Sequence, residues 1–372
     1  MIFSILFPLA IILGCGDKIE DTSSTVGTNG ETWIEYTHPC VGNRTDAMWF
    51  DDESTGFVGC GSTTAGYGLF TTTDGGNSWD TVPSANNILD SMRVGSIQRA
   101  NNGNLYIGGT GDNNIRIVYV DGSGTLQEYY SKPESGAQSW QTYQVGTFRL
   151  DANNRGVSES LTGSDVMYWP NSSAEATNGY GWWNDTEIEG SGAQILDMEI
   201  YDNKFYAVGS TINQPPYFFY EDSMTTEFSM QAIKLSGEGI ADFEGEVWDI
   251  SIDNSGGMLL AGVNQGTDVG TLWYNTGDVT NKDNWVMYDI SSITPDIPSN
   301  ATRFYGACRY GNLMVAVGDF SQKTEGILVY STDSGSNWTF METDSSPLSK
   351  CQIVNGEVFI TGADGLFAIF NP

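Results

Sequence analysis

Carboxylates dominate the ionisable chemistry of this chain. Asp and Glu number 47 against 15 Lys and Arg, and there is one histidine, His38. Five Asp residues, Asp112, Asp165, Asp268, Asp319 and Asp364, each follow a short apolar, strand-like run. Gathered at one mouth of a fold, such a set could hold Ca²⁺, an ion that seeks oxygen ligands, or a cationic peptide. Asp319 and Asp364 are the pair expected to bind the ion. Aspartate also suits turns, so the same five residues have a purely structural reading. No other cofactor is expected.

Other chemistries find less support. A Ser-His-Asp triad would have to use His38, which lies beside Pro39 and Cys40 in a loop-like stretch, and no Gly-x-Ser-x-Gly elbow is evident. One histidine excludes a zinc site built from several. Glycoside hydrolysis needs only two carboxylates at a suitable separation, and 47 acidic residues make candidate pairs too easy to find. A net charge of −32 repels phosphate backbones, which excludes nucleic acid as a partner. Aromatic residues that could read a sugar or a peptide are Trp182-Trp183 and Pro215-Pro216-Tyr217, with core or loop packing as the alternative.

The elements that must position these residues are legible as repeats. Gly56-Phe-Val-Gly-Cys60, Leu105-Tyr-Ile-Gly-Gly109, Gly156-Val-Ser-Glu-Ser160, Phe205-Tyr-Ala-Val-Gly209, Met258-Leu-Leu-Ala-Gly262, Met314-Val-Ala-Val-Gly318 and Val358-Phe-Ile-Thr-Gly362 recur roughly every 50 residues. Asn, Asp and Gly clusters precede most of them, so each is the second strand of a hairpin. A four-stranded repeat of that length predicts an all-β, seven-bladed β-propeller with antiparallel strands. The last repeat, 350–372, supplies only three strands. Thr28-Asn-Gly30-Glu-Thr32-Trp33 resembles the start of a fourth strand, so the N-terminal strand is expected to complete the last blade.

Two segments match Ser/Thr-x-Asp-x-Gly-x-x-Trp: Thr72-Thr-Asp74-Gly-Gly76-Asn-Ser78-Trp79 and Ser331-Thr-Asp333-Ser-Gly335-Ser-Asn-Trp338. This resembles the Asp-box, or bacterial neuraminidase repeat, of sialidase-type propellers. The repeats are also similar to those of photosystem-assembly-factor-like and sortilin-type propellers. The resemblance implies a structural role for Asp74, Gly76, Trp79, Asp333, Gly335 and Trp338, on the face away from the ligand. Sialidases carry three substrate-clamping Arg, the first in an Arg-Ile/Leu-Pro motif. That motif is absent, and the eight Arg (44, 93, 99, 116, 149, 155, 303 and 309) do not map onto the clamp.

Residues 2–13 are an apolar run ending in Gly14-Cys15, which resembles the lipobox of bacterial lipoproteins and implies lipidation at Cys15. The expected organisation is a signal peptide over 1–14, an acidic tether over 15–27, and one propeller over 28–372. Export makes disulfides plausible for the remaining Cys. Repeat position pairs Cys40 with Cys60 and Cys308 with Cys351; free buried thiols are the alternative. Together these features predict a monomeric, non-catalytic lipoprotein, extracytoplasmic and lipid-anchored to a bacterial membrane. It would serve as a binding or scaffold module for a protein or polysaccharide, touching the membrane only through its anchor. The rival expectation is a glycoside hydrolase, sialidase-like or other, with paired carboxylates in the central cleft.

Overall fold

In a computed structural model, the described residues are 24–26, 30–42, 45–60, 68–83, 92–111, 114–132, 147–151, 156–159, 166–169, 181–182, 194–210, 217–221, 231–234, 245–264, 268–290, 302–320, 325–343 and 346–372. They are all-β apart from one 3₁₀ turn, Lys282–Asn284. Every strand pairing among them is antiparallel, and the basic unit is a four-stranded sheet in chain order. One such sheet runs Thr302–Tyr310, Leu313–Phe320, Gly326–Ser331, Thr339–Glu342. Two neighbouring units are joined by a single bridge, Ser210 to Glu246, into one eight-stranded path. The second strands form where the repeats predict them, among them Gly56–Cys60, Met258–Asn264 and Glu357–Gly362.

The first, or inner, strands are Thr45–Phe50, Met92–Arg99, Phe148–Leu150, Gln194–Tyr201, Gly245–Ile252, Thr302–Tyr310 and Leu348–Val354. Each lies against the next in chain order, and Leu348–Val354 also lies against Thr45–Phe50. The apolar core fills the space between successive sheets. One cluster joins Leu259, Ala261 and Leu272 to Phe304, Met314 and Val329, and another joins Phe50 to Phe359 and Phe367.

The chain ends meet. Thr32–Thr37 pairs with Leu366–Asn371 over six residues, from Thr32 opposite Asn371 to Thr37 opposite Leu366. Inside the stretch expected to be a tether, Ser24–Val26 forms a short strand against Thr32–Ile34. Its β-branched Thr25 and Val26 suit pairing to that otherwise open edge.

The glycine that ends most second strands has a physical cause. Five inner strands carry a bulge opposite it, as between Val247 and Asp249 and between Phe304 and Gly306, and Thr45–Phe50 carries the same bulge opposite Cys60. The bulge pushes a carbonyl towards the second strand. A Cβ at Gly318 would sit 1.7 Å from the Arg303 oxygen, and at Gly262 2.0 Å from the Glu246 oxygen. No side chain tolerates that approach, so the repeat signature records the bulge.

The two box turns are alike. In the first, the Thr72 hydroxyl donates to Asp74 Oδ1 (2.9 Å) and accepts the Gly76 N–H (2.8 Å), while Asp74 accepts the Ser78 N–H and hydroxyl at 2.8 and 2.6 Å. Ser331, Asp333, Gly335 and Asn337 repeat this arrangement. Trp79 meets Phe50 and Phe367, and Trp338 meets Tyr274 and Tyr288, so each ring wedges between sheets. Cys40–Cys60 and Cys308–Cys351 are disulfides, with Cα atoms 5.4 and 5.7 Å apart. The second ties two adjacent inner strands and points to an oxidising, extracytoplasmic compartment.

If the bulge demands glycine, Gly318→Ala should cost roughly 2–3 kcal/mol by overpacking. Gly122→Ala, where a Cβ meets nothing within 4 Å, should change stability by less than about 0.5 kcal/mol. Urea unfolding midpoints of the two variants check this, and equal midpoints would refute the packing argument.

Candidate functional site

An inner strand has a sheet partner on one side only. Its other edge must satisfy its backbone groups elsewhere. Here polar side chains of the preceding inner strand do so. Ser96 Oγ accepts the Phe148 N–H (3.0 Å), and the Gln98 amide both accepts from Leu150 N (2.7 Å) and donates to Leu150 O (3.1 Å). Asp197 Oδ2 accepts Ile250 N–H (3.2 Å), Asp249 Oδ2 accepts Ala307 N–H (2.6 Å), and Ser251 Oγ accepts Arg309 N–H (3.0 Å). Gln352 grips the Phe50 backbone at both its N–H and its C=O (2.7 and 3.0 Å).

These residues line a central cavity of about 420 Å³, within the usual range for ligand pockets. Its charged part is built by residues just beyond the bulges. Lys350 Nζ contacts Asp249 Oδ1 and lies 4.0 Å from Asp197 Oδ2. Asp197 Oδ1 accepts from the Thr147 hydroxyl (3.0 Å) and Arg149 (3.3 Å), and Arg149 Nε donates to Glu199 Oε1 (2.9 Å). Nearer the hairpins, Arg309 Nε meets Asp253 Oδ2 at 3.2 Å. Ile252, Tyr310 and Ile353 stand at or beside the ends of their strands, and Trp49 one residue from the end of its own, so they form an apolar collar.

Burial and charge pull the carboxyl groups apart. Burial, with the neighbouring Asp197, pushes the Asp249 carboxyl well above the ordinary range against the pull of Lys350. Burial acts on Asp197 too, but Lys350 and Arg149 outweigh it and hold that carboxyl below its usual value. Burial also raises Glu199, despite Arg149. Burial would strip the proton from Lys350, but Asp249 and Asp197 outweigh it and keep it an ammonium. Asp197 and Asp249 share Lys350.

Three of the five Asp residues expected from the sequence lie among the described residues. Asp112 and Asp165 lie outside the described residues, as do Cys15, Trp183, Pro215 and Pro216. Asp268 is held by Arg303 Nε and a terminal nitrogen at 3.2 and 3.0 Å. Asp319 Oδ2 accepts the Tyr305 hydroxyl at 3.3 Å, and the Tyr305 ring stacks on Trp248 with centroids 4.6 Å apart. Asp364 is exposed on a turn with φ 57°. None of Asp268, Asp319 and Asp364 lines the central cavity. Among the described residues, no group of three or more His, Cys, Asp or Glu could hold a metal ion.

His38 is a packing residue. It is 1% exposed; its Nδ1 accepts the Cys40 N–H (3.1 Å), which leaves Nε2 to donate to Thr45 Oγ1 (2.9 Å). The sequence analysis missed Asp197, Asp249 and Lys350. Their signal is positional: each is the second residue after the apolar residue that faces the repeat glycine, namely Ile195, Val247 and Leu348.

No protein-family model matches the chain, and neither does any curated sequence. Solved structures do match its fold. YCF48 bound to D1 peptide has a TM-score of 0.60 at 14% identity, over 91% of this chain and 97% of that one. The selenomethionine-substituted virginiamycin B lyase from Staphylococcus aureus scores 0.62 at 10% identity, over 92% and 99%. The GH74 xyloglucanase from Xanthomonas campestris scores 0.61 at 12% identity, over 90% of this chain and 53% of that one. The fold is therefore that of a β-propeller; at these identities nothing about activity transfers.

Two measurements test the site. Asp249→Leu removes the acceptor of both Ala307 N–H and Lys350, and should cost about 3 kcal/mol or more, whereas Asp249→Asn should cost less; equal chemical-denaturation curves for the two would refute the framework role. Burial lowers the His38 pKa to about 4, so the unfolded chain takes up a proton there first as pH falls. Its contribution is present above about pH 6.5 and lost towards pH 4, roughly 3 kcal/mol in all. His38→Asn should therefore flatten that part of the stability–pH profile.

Proposed function

We propose that this chain is a seven-bladed propeller sealed by its N-terminal strand, and that it acts as a non-catalytic binding or scaffold module for a protein or polysaccharide outside the cytoplasm. The pairing of Thr32–Thr37 with Leu366–Asn371 and the succession of seven inner strands support the architecture. The two disulfides support the compartment, and the Gly14-Cys15 junction supports a lipid anchor at Cys15. A monomer is the proposed state.

One observation carries the functional reading. The carboxylates at the channel centre are occupied by the framework. Each of Asp197 and Asp249 gives one oxygen to a backbone N–H of the next inner strand and the other to a cation. Lys350 stands between them, in contact with Asp249 Oδ1 and 4.0 Å from Asp197 Oδ2, in the space where a glycosidase pair holds its sugar. A general acid or nucleophile tied in this way would release the neighbouring strand whenever it moved. The pair therefore has the raised and lowered carboxyl groups that hydrolysis wants, with a cation in place of the substrate.

The reading is tested by incubating the protein with α- and β-linked oligosaccharides, sialosides included, and measuring new reducing ends. No turnover is expected. Turnover that Asp249→Asn abolishes, with the fold retained, would establish the hydrolase instead.

A further inference from the structure

Among the described residues, the central cavity is short of one positive charge. Its lining holds four carboxyl groups, Asp197, Glu199, Asp249 and Asp253, and three cations, Arg149, Arg309 and Lys350. Asp253 is spent on Arg309 and on its own hairpin, where it accepts from Ser255 and from Gly257 N–H. Deeper in, Asp197, Glu199 and Asp249 are left to share Arg149 and Lys350. All five lie on inner strands, below a collar of Trp49, Ile252, Tyr310 and Ile353. Tyr310 is 49% exposed, so the collar reaches solvent.

We propose that this cavity receives a lysine side chain of a partner polypeptide, its ammonium at Glu199 and its alkyl stem against the collar. A long stem with a charged head matches an apolar rim over a carboxylate floor. The Glu199 side chain is 27% exposed and gives Oε1 to Arg149, which makes it the most accessible of the three deep carboxyl groups; Asp197 and Asp249 are 1% and 6% exposed. A bare metal ion fits less well. It would leave the collar unused, and the Asp197 and Asp249 oxygens already serve N–H groups, the Thr147 hydroxyl and the two cations. A net charge of −32 would draw a basic segment towards the protein from a distance.

The proposal rests on the binding-module reading and gives that module the chemistry of its partner. It also carries a sign for pH. Without a ligand the cluster relieves its deficit by keeping a proton, and burial favours doing so on Asp249 and Glu199. The groups facing these two are Asp197, Arg149 and Lys350, with Asp253 and Arg309 nearer the rim. An incoming ammonium replaces the proton, so affinity rises with pH while the lysine stays charged.

The test is calorimetric titration of the full chain with acetyl-Gly-Gly-Lys-Gly-Gly-amide, and with the same peptide carrying norleucine or glutamate at the centre. Only the lysine peptide should bind, and more tightly as pH rises. Glu199→Gln should weaken it about tenfold or more, the worth of one charge-assisted bond, while melting as the parent does. Asp364→Asn, which removes an equal charge outside the cavity, should leave affinity unchanged. Equal losses from the two variants would show diffuse attraction to an acidic surface and overturn the proposal. So would equal binding of the norleucine peptide, or no binding of the lysine peptide. None of these outcomes produces sugar turnover, so the reducing-end assay judges the non-catalytic reading separately.

Discussion

Seven strands that line a channel each expose an edge with no further strand to pair with. That deficit shapes the centre of this molecule. A buried, unpaired backbone N–H costs on the order of 1–3 kcal/mol, so inner strands with open edges would not be tolerated. The chain meets the requirement with side chains spaced two residues apart: Ser96 and Gln98 serve Phe148 and Leu150, and Asp249 and Ser251 serve Ala307 and Arg309. The polar character of the channel follows from this need before any ligand is considered. Once carboxylates are chosen as acceptors, cations must follow, and Arg149 and Lys350 supply them.

The same geometry explains the repeat. The bulge turns the residue beyond it towards the next strand and presses a carbonyl on the second strand, so the glycine and the acceptor form one device seen from its two sides. Gly109 faces Val94, with Ser96 beyond; Gly262 faces Val247, with Asp249 beyond. The glycine recurs in five of the six bulged pairs because its neighbour is backbone. The acceptor varies because Ser, Asp or Gln can each satisfy an N–H.

That difference sets what could be read from the sequence. The second strands, the box turns and the cysteine pairs were legible because each rests on a local or repeated requirement: a glycine against a carbonyl, an Asp folded over its own turn, or adjacent repeats. The charged cluster was not, because its members come one or two per repeat and differ in type. Aspartate was sought in the loops after the second strands instead, where Asp268 is matched by Arg303 and Asp364 shapes a turn. Strict alternation also misplaces Asp197 and Asp249, since the bulge inserts a residue and shifts the phase of everything after it.

The union of Thr32–Thr37 with Leu366–Asn371 has a consequence in time. Thr32–Thr37 needs as its partner a strand made more than three hundred residues later. Until then both carry an open edge, and no amount of local folding can cover it. Contacts of such sequence separation are slow to form. Completion of this fold therefore waits until residue 371 has been made.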